Sequence, residues 1–277
     1  MTVEEALREA SSMLKGVAQR PRLEAEILLT RFLECDRTQL HLNGSKALES
    51  AESYFETVQR RVRSEPVEYI TGRVSFYDIE LEVGPGVLIA RPETELLVDR
   101  CAQVISSNSI STVAEIGVGS GAVSIVLARM FPRLRITATD ISAEALKYAK
   151  RNVERYGLEE RIELVECSLL DGVDREVDMI VSNPPYISEE YELPPPLRYE
   201  PLNALVGGER GDEILKKIIS LSIERRVPHL VCEMGYDQRK PVLEYCESLS
   251  LKEPEFYKDL SGLDRGFYLK PVHKDLT

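Results

Sequence analysis

Strand-like and helix-like segments alternate along the chain from residue 112 to residue 249. Short apolar runs bounded by turn residues predict strands, and longer runs with apolar residues at helical spacing predict helices. The predicted strands cover 112–116, 134–140, 161–166, 177–182 and 228–234, and the predicted helices cover 121–131, 142–156, 211–224 and 239–249. Because such alternation is typical of parallel strands joined by crossover helices, it predicts an α/β fold with a parallel sheet and helices on both faces.

The first 72 residues have helical spacing instead. Between residue 2 and about residue 70 the pattern predicts three helices, the second opened by Pro21 and the third running from about Lys46 to Arg63. Thr2 and Glu5 have the spacing of a capping box at the first helix. We expect residues 1–72 to form a small helical domain that docks a substrate. The alternative is an N-terminal extension that only stabilises the main domain.

A linker follows, with a different period. Apolar and polar residues alternate over Phe76–Val83, which predicts a strand in a linker hairpin at 73–84, and Val87-Leu88-Ile89 resumes the strand pattern. The main domain is expected to cover 85–277. It should begin with a helix that has Pro92 in its first turn, and it should end with an antiparallel pair at the sheet edge.

Composition limits the possible functions. The formal net charge of −12 disfavours a broad nucleic-acid-binding surface. No apolar stretch has transmembrane length and no signal peptide is evident, so a cytoplasmic location is expected. The five cysteines are widely spaced and the three histidines form no ligand-like cluster, so we expect free thiols and no metal.

A glycine-rich turn joins the predicted strand 112–116 to the following helix. Its sequence is Glu115-Ile116-Gly117-Val118-Gly119-Ser120-Gly121, and Asp140 closes the next strand. Glycines at such a turn allow a ligand to approach the backbone closely, and a carboxylate at the end of the next strand is placed to accept hydrogen bonds from ribose hydroxyls. The spacing G-x-G-x-G differs from the dinucleotide pattern G-x-G-x-x-G and does not require a pyrophosphate. The alternative for Asp140 is a residue that only precedes the next helix.

A polar corner, Asn183-Pro184-Pro185-Tyr186, directly follows the apolar run Met179-Ile180-Val181. A residue before proline is extended, and prolines carry no N–H group, so this corner is rich in acceptors. The side-chain oxygen of Asn183 and the carbonyl of Pro184 can together accept both hydrogens of an –NH2 group, and Tyr186 can cover its flat face. A proline turn with a packed aromatic ring is the alternative.

The loop from Ile187 to Gly211 follows this corner and contains Pro194-Pro195-Pro196. Its length and position suggest a lid over the substrate, or else a surface connection. Both motifs are expected at the carboxyl ends of neighbouring strands, where open α/β sheets bind ligands. Together they resemble the class I methyltransferases, which use S-adenosylmethionine, release S-adenosylhomocysteine and in many cases methylate planar nitrogens.

Further stretches make the resemblance narrower. Arg91-Pro92-Glu93-Thr94-Glu95, Glu200-Pro201-Leu202-Asn203-Ala204-Leu205 and the segment Lys258–Arg265, together with the Asn183–Tyr186 corner, resemble the HemK/PrmC family over nearly the whole chain. Members of this family methylate the glutamine of the Gly-Gly-Gln loop in peptide-chain release factors. Two departures are visible. Ala90 stands where a proline is common, and Cys167-Ser168-Leu169-Leu170 stands where an acidic residue often meets the adenine.

The resemblance implies a set of roles for individual residues. Asn183, Pro184 and Tyr186 would be catalytic, with Pro185 completing the substrate site. The cofactor would contact Glu115, Gly117, Val118, Gly119, Ser120, Gly121, Asp140, Ser168, Leu169 and Asn183. It also implies an enzyme that acts as a monomer, with peptide-chain release factors as partners. The alternatives are a methyltransferase for ribosomal-protein glutamine, one for adenine or guanine amino groups of nucleic acid, and a module that binds a nucleoside without chemistry.

Overall fold

The computed structural model describes residues 1–271 and divides the chain into two compact units. The first unit contains Met1–Arg73 together with Leu193–Tyr199, and the second contains Val74–Glu192 together with the residues from Glu200 onward. The helical unit therefore includes seven residues from the middle of the predicted lid. None of the described helices is long and apolar enough to cross a membrane.

The first unit is helical, with two more helices than expected. Its helices are α1 (Val3–Met13), α2 (Pro21–Leu33), α3 (Arg37–Leu42), α4 (Ala51–Val62) and α5 (Val67–Thr71). The short helices α3 and α5 were not predicted, and α4 begins at Ala51 rather than near Lys46. Six and five residues are too few to show a helical period, so the sequence pattern could not reveal α3 and α5.

Helix caps and apolar side chains explain how this unit forms. The Thr2 hydroxyl accepts a hydrogen bond from the Glu5 amide, and the Glu5 carboxylate accepts one from the Thr2 amide, so the predicted capping box is confirmed. Apolar side chains from four helices share a core around Tyr54, whose hydroxyl donates to the Ala25 carbonyl over 3.1 Å. In the segment Leu193–Tyr199, the Tyr199 hydroxyl donates to the Arg63 carbonyl over 2.9 Å.

The linker is a hairpin of β1 (Arg73–Phe76) and β2 (Ile79–Glu82). The single strand predicted over Phe76–Val83 is wrong, because the chain turns at Tyr77, where φ is +54°. Ile79, Leu81 and Val83 are buried, so the period of two is real but starts after the turn. The strand predicted at Val87–Ile89 is also wrong, since these residues form no strand.

The second unit contains a seven-stranded mixed sheet and five helices. Strand order in the sheet is β10-β11-β9-β6-β3-β4-β5, and a separate pair is formed by β7 and β8. The strands are β3 (Thr112–Ile116), β4 (Arg135–Asp140), β5 (Ile162–Glu166), β6 (Met179–Ser182), β7 (Ile187–Ser188), β8 (Val206–Gly208), β9 (His229–Glu233), β10 (Glu255–Lys258) and β11 (Asp264–Leu269). The helices are α6 (Thr94–Ser107), α7 (Ala122–Met130), α8 (Ala143–Arg155), α9 (Glu213–Glu224) and α10 (Arg239–Ser248).

The predicted alternation of strands and helices is confirmed within two residues at each boundary. The antiparallel pair at the edge is confirmed too, because within residues 1–271 β10 pairs with β11 alone, and β11 pairs antiparallel with β9. Helix α6 begins at Thr94, two residues after Pro92. Apolar side chains of α9 and α10 pack in one core with Ala114, Ile180 and Leu230 of the central strands.

Four neighbouring strands, β9, β6, β3 and β4, run parallel to one another. Their carboxyl ends therefore meet at one edge of the sheet. Glu233 ends β9, Asn183 follows β6, the glycine turn follows β3, and Asp140 ends β4. The two predicted motifs are thus next to each other, as expected.

Candidate active site

A cavity of about 300 Å³ opens at this edge of the sheet, a size at the lower end of the usual range for ligand pockets. Among the residues predicted to form the site, six line the cavity: Gly117, Asp140, Ser168, Leu169, Asn183 and Pro185. The others lie around it without lining it: Glu115, Val118, Gly119, Ser120, Gly121, Pro184 and Tyr186.

The glycine turn makes hydrogen bonds within the protein. The amides of Gly117 and Val118 both donate to the Thr139 carbonyl over 2.9 Å, and the amide of Gly121 donates to the Val118 carbonyl. All three glycines have positive φ, between 54° and 89°, which explains why residues without a side chain occupy these positions. Because these three amides already have partners within the protein, they are not free to bind a phosphate.

Glu115 points toward the start of α7. Its Oε2 atom accepts a hydrogen bond from the Ser124 amide over 3.0 Å and a second, short one from the Ser124 hydroxyl. The residue is 3% exposed, and burial raises the pKa of its carboxyl to about 8. The visible role of Glu115 is therefore to satisfy a backbone donor in the first turn of a buried helix.

Asp140 links the glycine turn to the next helix. One carboxylate oxygen accepts from the Gly119 amide and the other from the Ser142 amide, each over 2.9 Å. Each oxygen has a further lone pair, and the residue lines the cavity. Burial raises the pKa of this carboxyl, an effect that the two backbone donors oppose. Asp140 is thus an oriented acceptor at the cavity wall.

The Asn183 side chain is held by a residue that the sequence analysis had left without a role. Its Nδ2 atom donates to the Thr94 hydroxyl oxygen over 3.0 Å. With the amide nitrogen engaged, the carbonyl oxygen Oδ1 remains as the acceptor that Asn183 offers to a ligand. Within residues 1–271, no hydrogen bond to the Pro184 carbonyl is recorded. The corner therefore keeps two acceptors for an incoming donor.

Tyr186 is held from behind. Its hydroxyl donates to Glu233 Oε1 over 3.2 Å, and burial followed by the charge of Glu233 raises the pKa of the phenol above its ordinary value. Its carbonyl accepts from Gln238 Nε2, which also donates to the Gly211 carbonyl, both over 3.0 Å. Gln238 Oε1 in turn accepts from the Gly235 amide. These bonds fix the end of the corner against two turns.

Gly207 also fits closely against the corner. A Cβ atom at this position would lie 2.3 Å from the Pro185 carbonyl oxygen and 2.6 Å from the Gly211 carbonyl oxygen. Neither neighbour is a flexible side-chain end, so only glycine allows this approach. The C-terminal part of the predicted lid therefore supports the corner through its backbone.

Two of the stretches that carried the family resemblance contact each other. Glu200 is buried, accepts a hydrogen bond from the Ile89 amide over 3.0 Å and forms a short ion pair with Arg91. This link orders the segments at Gly86–Leu88 and Pro201–Ala204, both of which contribute to the cavity wall.

The residues that line the cavity have the chemistry that S-adenosylmethionine requires. Asp140 can accept from ribose hydroxyls, while Ile141, Ala145, Leu169 and Val206 provide apolar surface for a flat base. Within residues 1–271, no cluster of three or more His, Cys, Asp or Glu side chains could hold a metal ion.

Comparison with known families accounts for both units. The PrmC N-terminal domain model matches residues 5–72, and the methyltransferase small domain model matches residues 92–193. A release factor glutamine methyltransferase from Koribacter versatilis is 39% identical over 88% of this chain and 90% of its own length. One from Rhodopirellula baltica is 41% identical over 91% of this chain and 90% of its own length.

This chain belongs to the release factor glutamine methyltransferase family. The resemblance to the HemK/PrmC family is therefore confirmed, and it extends over both units of the chain.

Solved structures of more distant proteins share the fold. The catalytic domain of hMettl16, solved in complex with a hairpin of the MAT2A 3′UTR, has a TM-score of 0.57 and 18% identity, covering 71% of this chain and 77% of its own. The ribosomal protein L11 methylase of Lactobacillus delbrueckii subsp. bulgaricus has a TM-score of 0.51 and 22% identity, covering 70% and 86%. The fold is that of the class I S-adenosylmethionine-dependent methyltransferases, as the sequence predicted.

Sequence reasoning missed the residues that hold the corner. Thr94, Glu233 and Gln238 contact it from positions 89, 47 and 52 residues away along the chain. Two signals were available: Thr94 lies in the Arg91–Glu95 stretch that carries the family resemblance, and Glu233 directly follows the apolar run Leu230-Val231-Cys232.

Proposed function

We propose that this chain transfers a methyl group from S-adenosylmethionine to the side-chain amide nitrogen of the glutamine in the Gly-Gly-Gln loop of peptide-chain release factors. The observation that carries the proposal is the Asn183–Thr94 hydrogen bond, which leaves Asn183 Oδ1 as an acceptor at the cavity, one residue before the Pro184 carbonyl in the chain. A primary carboxamide, with two N–H donors, is the group that such a pair suits. The membership of the family supports the same substrate.

The cofactor is assigned to the cavity. Asp140 would accept hydrogen bonds from the ribose hydroxyls, with Leu169 and Ile141 against the adenine and Ser168 at its edge. Gly117 and Asn183 would line the part of the cavity next to the substrate. The remaining residues of the glycine turn and Glu115 would act by holding this wall in place. When bound, S-adenosylmethionine supplies a methyl group on a positively charged sulfur.

The corner has to overcome the low reactivity of an amide. An amide nitrogen shares its lone pair with the carbonyl, as the roughly 18–20 kcal/mol barrier to rotation about a peptide bond shows. Hydrogen bonds from both N–H groups to Asn183 and Pro184 would fix the amide plane, and Tyr186 would hold its face. Orientation of this kind can supply about 7–11 kcal/mol.

Proton loss completes the chemistry. The amide nitrogen forms its new bond to carbon while the bond from that carbon to sulfur breaks, and the sulfur keeps the electron pair. The nitrogen would then carry a positive charge and lose one proton to Asn183 or to water. No residue is assigned as a general base, because the alkylated amide is itself a strong acid.

The helical unit is proposed to dock the body of the release factor. Two observations support this role over that of an extension that only stabilises the main domain. The unit has its own hydrophobic core, and it includes Leu193–Tyr199 from the predicted lid. We further propose that the enzyme acts as a monomer in the cytoplasm, on the Gly-Gly-Gln loop.

Methyl transfer from labelled S-adenosylmethionine tests the proposal. The acceptors are a peptide-chain release factor, a ribosomal-protein fraction and total RNA, with each product mapped by mass spectrometry. We expect a single methyl group on the glutamine of the Gly-Gly-Gln loop. As a control, a release factor with that glutamine changed to glutamate should take no label. Label on RNA or on a ribosomal protein alone would overturn the substrate assignment.

A further inference from the structure

Gln238 immediately precedes helix α10, at its N-cap position. The N-cap of a helix is most often Ser, Thr, Asp or Asn, whose short side chain accepts a hydrogen bond from an amide of the first turn. The Gln238 side chain makes no such bond to α10. The residue is nevertheless only 5% exposed. A buried amide that does not cap its own helix needs another explanation.

The side chain of Gln238 bonds to three backbone groups, each over 3.0 Å. Its Nε2 atom donates to the Tyr186 carbonyl and to the Gly211 carbonyl, and its Oε1 atom accepts from the Gly235 amide. A side-chain amide carries two N–H donors and one carbonyl oxygen, so both donors are used and the oxygen has a partner. Because a carboxylate has no donor and an aliphatic side chain has neither group, this set of partners requires an amide.

The Asn183–Tyr186 corner depends on donors from other segments. Pro184 and Pro185 have no N–H group, so two successive residues of the corner cannot donate a backbone hydrogen bond. Such a segment can be held through its carbonyl groups instead. Gln238 donates to the carbonyl of Tyr186, the residue that follows the two prolines. It therefore provides from its side chain a hydrogen bond to a segment that lacks donors of its own.

The same turn also holds the other end of Tyr186. The Tyr186 hydroxyl donates to Oε1 of Glu233, the last residue of β9, over 3.2 Å. The turn between Glu233 and Gln238 thus bonds to both the hydroxyl and the carbonyl of Tyr186. The end of the predicted lid packs against this carbonyl too, since a Cβ atom on Gly211 would lie 2.5 Å from its oxygen.

We propose that Gln238 is a positioning residue for methyl transfer, which fixes the Asn183–Tyr186 corner in the orientation that presents its acceptors to the substrate amide. Gln238 does not line the cavity, so it acts through the corner and not on the substrate or the cofactor. This inference rests on the proposed function for its kinetic consequences, whereas the hydrogen bonds of Gln238 exist without substrate.

The variant Gln238→Met tests the role by kinetics. It removes all three side-chain hydrogen bonds while keeping an unbranched side chain. We expect kcat for the release factor to fall by about 10- to 100-fold, because a displacement of about 1 Å at the reacting groups can cost about 100-fold. The dissociation constant of S-adenosylmethionine and the KM for the release factor should each stay within about threefold, since Gln238 contacts neither.

The matched control is Gln103→Met, the same exchange on the exposed face of α6, where Gln103 bonds to Arg100. Its kcat should stay within about twofold of the parent. Gln238→Asn is the second variant, because it keeps an amide but shortens the side chain by one carbon, and it should show the same loss of kcat. Melting temperatures show which variants are folded in the assay, and Gln238→Asn decides if Gln238→Met is not.

Two kinetic results would overturn the proposal. One is a folded Gln238 variant whose kcat lies within about twofold of the parent. The other is a variant that loses rate and cofactor affinity in the same proportion, which would place the effect of Gln238 on the cofactor wall.

The ring signal of Tyr186 provides a measurement without substrate. The chain has 12 tyrosines, so the ring signals of protein labelled with ¹³C-tyrosine are few, and the Tyr186→Phe variant identifies that of Tyr186. This signal should shift or broaden in Gln238→Met and Gln238→Asn, which release the Tyr186 carbonyl, and stay unchanged in Gln103→Met. A residue that only stabilised the start of α10 would lower the melting temperature and leave both this signal and kcat unchanged.

The inference and the proposed function fail in different ways. If the Tyr186 signal moves in the Gln238 variants but the parent methylates no release factor, Gln238 does position the corner and the substrate assignment is wrong. If the parent methylates the glutamine while Gln238→Met keeps both the Tyr186 signal and kcat, the positioning role is wrong and the proposed function stands.

Discussion

The glycine turn after β3 and the Asn183–Tyr186 corner after β6 end paired parallel strands, yet their polar groups are used differently. In the turn, the amides of Gly117, Val118 and Gly121 bond to carbonyls of the protein. In the corner, the prolines contribute no amide hydrogens, and Asn183 lines the cavity with its side-chain carbonyl oxygen left as an acceptor.

The difference assigns separate roles to the two regions: the turn shapes the cavity wall, and the corner offers acceptors to a substrate. Because these amides are already bonded, we propose that the turn offers a ligand a fixed wall, with Asp140 as the polar contact. The corner keeps an acceptor, Asn183 Oδ1, for a ligand. Hydrogen bonds with Thr94, Glu233 and Gln238 hold its other polar groups in place. Changes in the two regions should therefore affect different steps, binding of the cofactor in one case and methyl transfer in the other.

The largest expected effect is on the corner. Asn183→Ala removes the oriented acceptor, and kcat should fall by about 100- to 1,000-fold, the usual consequence of deleting one oriented group that acts in the transition state. Affinity for S-adenosylmethionine, measured by calorimetry, should stay within about threefold. Asn108→Ala is the control, since the side-chain amide of Asn108 donates to the Val104 carbonyl and does not line the cavity. Turnover within a few-fold of the parent would remove the acceptor role.

Asp140→Ala tests the other region. Loss of one charge-assisted hydrogen bond costs about 1.5–3 kcal/mol, so cofactor affinity should fall by about 10- to 150-fold. The matched control is Asp178→Ala, because Asp178 also accepts from two backbone amides, those of Ser111 and Thr112, but does not line the cavity. Equal losses of affinity in the two variants would mean that Asp140 acts only through the stability of its loop.

Gly207→Ala tests whether the position of the corner matters for methyl transfer. The new Cβ would collide with the Pro185 carbonyl oxygen and displace the corner, so kcat should fall by about 10- to 100-fold with a smaller effect on cofactor affinity. Gly44→Ala is the control, since the nearest atom to its Cβ would be 3.4 Å away. A displaced corner with an unchanged rate would show that its position is not critical.

The smallest effect is predicted for Glu115→Gln, and it is an effect on stability. The pKa of folded Glu115 is raised from 4.5 to about 8. Between about pH 4.5 and about pH 8 the folded state thus binds more protons than the unfolded state, so the free energy of unfolding falls as the pH rises through this range. At about 1.4 kcal/mol per pH unit at most, the parent should lose about 1 kcal/mol relative to Glu115→Gln between about pH 7 and about pH 8.

Urea unfolding of both proteins at several pH values measures this difference. Cofactor affinity of the same variant provides the comparison with Asp140. The change in affinity should be smaller than for Asp140→Ala, because the Glu115 carboxyl bonds to Ser124. A parallel pH dependence of the two proteins would show that Glu115 ionises at its ordinary pKa.

The sheet could be predicted from sequence because its strands are short, apolar and bounded by turn residues. Strand β3 was predicted at its observed bounds, and the placement of both motifs followed from the parallel order. Helices α3 and α5 could not be predicted, because segments of six and five residues are too short to show the 3.6-residue spacing of apolar side chains. Val87–Ile89 look like a strand locally, but the chain there lines the cavity instead of joining a sheet.

The candidate site could be predicted only in part. The residues that we propose to contact a ligand belong to compact motifs, so Asp140 and Asn183 could be recognised from the sequence around them. The residues that orient them could not, because Thr94 and Glu233 reach the corner only through the order of the strands and helices. A threonine at a helix start and an acid at a strand end have ordinary structural roles, and only their contacts with the corner reveal another.

The most direct test of the account is a crossed measurement on Asn183→Ala and Asp140→Ala. For each variant, single-turnover methyl transfer at saturating S-adenosylmethionine and the dissociation constant of the cofactor are measured together. The account predicts that Asn183→Ala loses the rate and keeps the affinity, whereas Asp140→Ala loses the affinity and recovers most of the rate at saturation. If both variants lose rate and affinity in the same proportion, the division between cofactor wall and substrate corner is contradicted.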